Sequence, residues 1–179
     1  DAALFEPKSL REVLRTAVTH DLANGAGRAD IAVGGVVFDE ELQPDTLTPL
    51  ALGVIANAEG VVRGSGRINW DERTVTSSGA FTTDSFDFAA AFGPVKGLSG
   101  TVAFTDLLGL VTAPHQTLRV ASINPGIEVT EGTIDFELRP GSQLAVNGGT
   151  WPFLGGTLSL APTKMNFGVA ETRRYTLSI

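Results

Sequence analysis

The feature that most restricts this chain is a period of two. Val62, Gly64, Gly66, Ile68 and Trp70 alternate with Arg63, Ser65, Arg67, Asn69 and Asp71. Only an extended strand puts residues i and i+2 on one side, so this stretch has one apolar and one polar face. The period recurs at Ile31, Val33 and then Val36, Phe38, with Gly34-Gly35 placed to make a bulge. It recurs at Phe86, Phe88, Ala90 and Phe92, at Ile134, Phe136 and Leu138, and at Met165, Phe167 and Val169. Tyr175, Leu177 and Ile179 continue it. Shorter strands are expected at Thr101–Thr105 and Thr117–Ala121. Turn signals stand between the runs at Asp71-Glu72-Arg73, Asn124-Pro125-Gly126 and Pro140-Gly141. Strand, short turn, strand predicts a mainly β, antiparallel, meander-like fold of about ten strands from about residue 28 to 179.

Before Gly27 the period changes to 3.6. Ser9 and Glu12 have capping-box spacing, and Leu10, Val13, Leu14, Ala17 and Val18 fall on one helical face. These residues predict one N-terminal amphipathic helix over residues 9–24. The 179 residues read as a single β-rich segment. Asp1 at the start and a strand pattern that breaks off at Ile179 suggest a piece of a longer protein.

The chemistry on offer is sparse. Cysteine is absent, which excludes disulfides and thiol catalysis. A net charge of −7 opposes a chain-wide phosphate-binding surface, so nucleic acid is not an expected partner. No apolar run approaches the ~20 residues of a spanning helix. His20 reads as a helix-end side chain, and His115 lies in a turn, Ala113-Pro114-His115-Gln116. Gly-x-Ser-x-Gly is missing, as are spaced metal ligands, so neither catalytic residues nor a metal or cofactor is expected. Asp135, Glu137 and Arg139 read as a solvated strand face. A hydrolase acting on envelope polymers would need Asp84, Asp87 or Asp135 gathered with a second acid across a cleft.

What remains is apolar strand surface. Small residues on such a face leave room for a second sheet, a helix or an elongated apolar ligand.

The stretch from Gly97 to Phe167 carries a resemblance. It contains Gly100-Thr-Val-Ala-Phe-Thr-Asp-Leu107, Thr112-Ala-Pro-His-Gln-Thr-Leu118 and Ile123-Asn-Pro-Gly-Ile127. Glu131-Gly-Thr-Ile-Asp-Phe136 and Trp151-Pro-Phe-Leu-Gly-Gly-Thr-Leu158 follow. In order and spacing, residues 97–167 resemble the C-terminal part of the YdbH family, AsmA-like and TamB-related proteins of the Gram-negative envelope. His115 departs from that pattern, which has Gly before the Gln.

The resemblance implies an extended, curved antiparallel sheet with a taco-like hydrophobic groove. It implies a periplasmic body, anchored in the inner membrane in the full-length protein, that carries phospholipid between inner and outer membranes. The implied partner is a small outer-membrane lipoprotein of the YnbE type, docking by strand addition. On this reading Phe86, Phe88, Phe92, Phe104, Ile134, Phe136, Leu138, Trp151, Phe153, Leu158 and Leu160 are the candidates to line the groove. The alternative is a non-catalytic envelope scaffolding or assembly protein, whose apolar face is closed and whose strand edges bind partners.

Overall fold

Alternating strands with an apolar side must either stack or stay joined edge to edge, and here they stay joined. The computed structural model describes residues 1–47, 55–90, 92–166 and 175–176, the last pair as backbone only. Their strands form one thirteen-stranded antiparallel sheet. The strands are β1 (Ala2–Phe5), β2 (Glu12–His20), β3 (Gly27–Phe38), β4 (Ala56–Trp70), β5 (Val75–Ala90), β6 (Gly93–Asp106) and β7 (Val111–Thr112). β8 (Gln116–Ile123), β9 (Val129–Arg139), β10 (Gln143–Phe153), β11 (Gly156–Leu160), β12 (Thr163–Asn166) and β13 (Tyr175–Thr176) follow. Neighbours in sequence are neighbours in the sheet, except that β7 is an extra partner of β6, and β11 and β12 share successive parts of β10. The one helical turn described is α1 (Pro44–Leu47).

The expected helix over residues 9–24 is instead strand β2 and its flanking turns. Ser9 does not cap a helix. Its hydroxyl and its amide both donate to the Glu6 carboxylate, at 2.7 and 2.5 Å, closing the β1–β2 turn. Glu12 pairs with Arg15 at 2.7 Å. The segment Val13-Leu-Arg-Thr-Ala-Val-Thr19 is rich in β-branched residues, which suit a pleated strand. The exposed edge of β3 then supplies a full ladder, from Arg15↔Ala32 to His20↔Gly27. The non-local pairing outweighs a local capping signal.

Other expectations hold. The ladder between β3 and β4 shifts register between Val33 and Val36, where Gly34-Gly35 stands. Further shifts fall at Thr83/Phe86, Phe86/Phe88 and Val146/Gly148. Such shifts bend strands and strengthen twist. Phe167, Val169, Leu177 and Ile179 lie outside the described residues, as does part of the Gln43–Pro49 connector.

Directly opposed residues in an antiparallel ladder point to the same side, which sorts the sheet into two faces. One face is polar: Arg67 bonds Asp30 at 2.7 Å, Thr82 meets Thr101 at 2.8 Å, and Thr133 meets Thr150 at 3.1 Å. The other face is apolar and carries the core cluster of Val95, Val120, Ile123, Val129 and Trp151.

Candidate functional site

The apolar face can be followed strand by strand through its partners. Phe86 opposes Leu98, Phe88 opposes Val95, and Val95 opposes Ile123, which opposes Val129. Leu118, Ile134, Gly149 and Leu160 form one row across β8, β9, β10 and β11. Phe136 opposes Val146, Leu138 opposes Leu144, Trp151 opposes Leu158, and Phe153 opposes Gly156. Phe104 opposes Gly79 and stacks edge-on against Phe81, with ring centroids 5.9 Å apart.

Ten of the eleven expected residues therefore share this face: Phe86, Phe88, Phe104, Ile134, Phe136, Leu138, Trp151, Phe153, Leu158 and Leu160. Phe92 does not join them; it lies in the turn between β5 and β6 and is 41% exposed. Phe81, Leu98, Val95, Val120, Ile123 and Val129 share the face and were not singled out from the sequence. Their signal was present as alternation in β5 and β8, but bulges obscured which side it marked.

Glycine shapes this face where bulky groups come close. A β-carbon on Gly132 would fall inside the Trp151 indole, so the ring lies flat on bare backbone. Gly66 opposes Gly79, and a β-carbon on Gly66 would sit 2.8 Å from Leu107 Cδ2. Leu107 follows β6, so it reaches over β5 to touch β4.

Burial is graded. Phe86 and Trp151 are buried, whereas most of the others are half-buried and Leu158 is 44% exposed. Among the described residues no second sheet and no long helix covers this face. Three buried polar atoms on it lack a hydrogen-bond partner among the described residues: Thr16 Oγ1, Thr83 Oγ1 and Trp151 Nε1.

The candidate acids Asp84, Asp87 and Asp135 lie elsewhere. Asp84 pairs with Arg63 at 3.3 Å, and Asp87 accepts from the Gly97 amide at 2.7 Å. Asp135 accepts from Asn147 at 2.8 Å and meets His115 Nδ1 at 2.9 Å. Asp84 and Asp87 belong to β5 and Asp135 to β9, with β6 and β8 between them. No cleft gathers the three. Asn147, and after it His115, holds the Asp135 carboxyl below its ordinary range, and Asp135 in turn raises His115. Among the described residues no three His, Cys, Asp or Glu side chains cluster as a metal site would need, and no helix is long and apolar enough to cross a membrane.

No curated protein and no solved structure matches the chain. The description of the YdbH-like family, intermembrane phospholipid transport protein YdbH, matches residues 2–179. The match extends well beyond residues 97–167, the part legible as a resemblance, and takes in β1 to β5. Matched from residue 2 to residue 179, this chain of antiparallel strands belongs to the YdbH-like family.

Proposed function

We propose that the apolar face carries phospholipid acyl chains, and that the chain is part of a periplasmic bridge passing phospholipid between inner and outer membranes. The observation that supports this reading is an apolar face, continuous across β5 to β11 and half-buried outside its packed centre, that no second sheet or long helix among the described residues covers. Burial of an acyl chain gains roughly 0.8 kcal/mol per CH₂, so such a face holds lipid without any ligating group. Many similar weak contacts let a chain slide, whereas one deep pocket would trap it. Phe88, Phe104, Ile134, Phe136, Leu138, Phe153, Leu158 and Leu160 supply the contact surface, and the buried Phe86 and Trp151 pack beneath it. Headgroups stay in water on this reading, so no ligating side chain is needed. On this reading the protein works without catalysis, and its full-length form is held at the inner membrane.

The edge strands offer docking. β1 and β11 each pair on one side only among the described residues. An unpaired edge invites strand addition, and a small lipoprotein of the YnbE type would use it.

The test is lipid extraction from the intact protein purified from the cell envelope. Phospholipid should co-purify. Phe104→Asp and Phe136→Asp should lose most of it, while Thr101→Asp and Thr133→Asp on the polar face retain it. Phospholipid no more abundant than on an unrelated protein of similar size would refute the reading.

A further inference from the structure

We propose that Leu107 and the turn that carries it form a gate on the apolar face; this rests on the lipid-carrying reading above. The turn, residues 107–110 between β6 and β7, folds back over the start of β5, where the Leu108 amide meets Ser77. Leu107 sits on Gly66, and Ile31 flanks that spot, its Cβ 3.9 Å from where a Gly66 β-carbon would be. Gly66 and Gly79 are directly opposed, and the missing side chains make room for Leu107 over Gly66 and for the Phe81 ring beside it over Gly79, where a β-carbon would lie 3.4 Å from Phe81 Cε2. Glycine within a strand weakens it and marks a place where another group comes close. Leu107 is that group in this structure. When Leu107 withdraws, the Gly66 backbone, flanked by Ile31, Ile68 and the Phe81 ring, accepts an acyl chain.

The attachment of the turn to the sheet is small and specific. Ser77 is buried, and its hydroxyl donates to Asp106 Oδ1 at 2.6 Å while accepting from the Leu108 amide at 3.0 Å. Within the turn the Gly109 amide donates to the same Asp106 oxygen at 3.0 Å. A single serine thus latches the turn to β5, and Leu108, at its tip, is 60% exposed. Removing the hydroxyl releases the latch and leaves the ladders of β4, β5 and β6 in place.

The experiment uses the intact protein and vesicles of phosphatidylethanolamine carrying a diazirine on the acyl chain, with labelled peptides mapped by mass spectrometry. Wild type should be labelled mainly across β8 to β10 and weakly on the stretches holding Ile31, Ile68 and Gly79. Ser77→Ala should raise labelling of those stretches roughly tenfold, the population shift expected from one lost charge-assisted hydrogen bond. The chain has no cysteine, so Ile31→Cys with Leu107→Cys, bridged by a short bis-maleimide, clamps the gate and should abolish that labelling. The clamp keeps the test decisive if Ser77→Ala folds poorly. Equal labelling of these stretches in wild type, Ser77→Ala and the clamped form would overturn the gate while leaving the lipid reading intact. No labelling of β8 to β10 in any form would overturn the lipid reading and the gate with it.

Discussion

The Trp151 indole occupies the space that a side chain at Gly132 would need. Trp151 is only 4% exposed and joins Val95, Val120, Ile123 and Val129 in the core cluster. A methyl group at position 132 must displace the ring or bend β9. Gly132→Ala should therefore destabilise the protein by about 1–3 kcal/mol, as overpacking does. Thr133→Ala, next door on the polar face, should change stability by no more than about 0.5 kcal/mol, the range for surface substitutions. Urea unfolding of the two variants checks this. Equal midpoints would show that the indole does not rest on Gly132.

On the polar face, His115 and Asp135 set a pH dependence whose sign follows from their shifts. The hydrogen bond to Asp135 raises His115 above its ordinary 6.5. A raised folded-state value means that the contribution is fully present below the unfolded value and disappears as pH rises through the folded one. Asp135 is lowered from 3.8, first by Asn147 and then by His115, so its contribution is present above 3.8 and is lost as pH falls through the folded value. Stability should decline slightly as pH rises through neutrality, and His115→Gln should flatten that slope. Thermal unfolding between pH 6 and 8, together with an NMR titration of the His115 ring, checks both. A His115 titration midpoint below 6.5 would contradict the pairing.

How much of this was legible beforehand depends on the segment. In β4 the alternation of Val62, Gly64, Gly66, Ile68 and Trp70 is unbroken, and the face assignment follows from the sequence. In β5 and β10 it was not so simple, because register shifts at Thr83/Phe86, Phe86/Phe88 and Val146/Gly148 reset which parity is apolar. Phe92 continues the spacing of Phe86 and Phe88, yet the strand ends at Ala90 and the ring leaves the ladder. Residues 9–24 failed for another reason: Ser9 and Glu12 carry a real local signal, but the ladder with β3 is a contact that no local window contains. Gly132 under Trp151 and Gly66 under Leu107 are likewise long-range pairs, and the sequence shows only that each glycine sits within a strand pattern.

Leu158 and Phe92 separate membership of the apolar face from simple exposure. They are exposed to similar degrees, 44% and 41%, so neither substitution empties a core. Leu158 opposes Trp151 on β10, whereas Phe92 is in a turn. Leu158→Lys should lower co-purified phospholipid severalfold with a stability change within about 1 kcal/mol. Phe92→Lys should leave both unchanged. Equal loss of lipid in the two variants would mean that general surface hydrophobicity, not the face, retains it.

The β1–β2 turn makes the last case, because the residues first read as a helix cap have become an acid-sensitive clasp. The Glu6 carboxylate accepts from the Ser9 amide, the Ser9 hydroxyl and the Lys8 amide, in that order the main reasons it is held below its ordinary 4.5. A lowered carboxyl stabilises the fold above its unfolded value and stops doing so as pH falls through its folded one. Strand β1 is short and among the described residues pairs only with β2, so it depends on this turn more than any inner strand does. Glu6→Gln should let β1 fray at neutral pH as wild type does only in acid, and Ser9→Ala should have a weaker effect in the same direction. Amide hydrogen exchange of Ala2–Phe5 measures it directly. Protection of β1 that is unchanged in Glu6→Gln, and equally unchanged in wild type at low pH, would show that the ladder alone holds the strand.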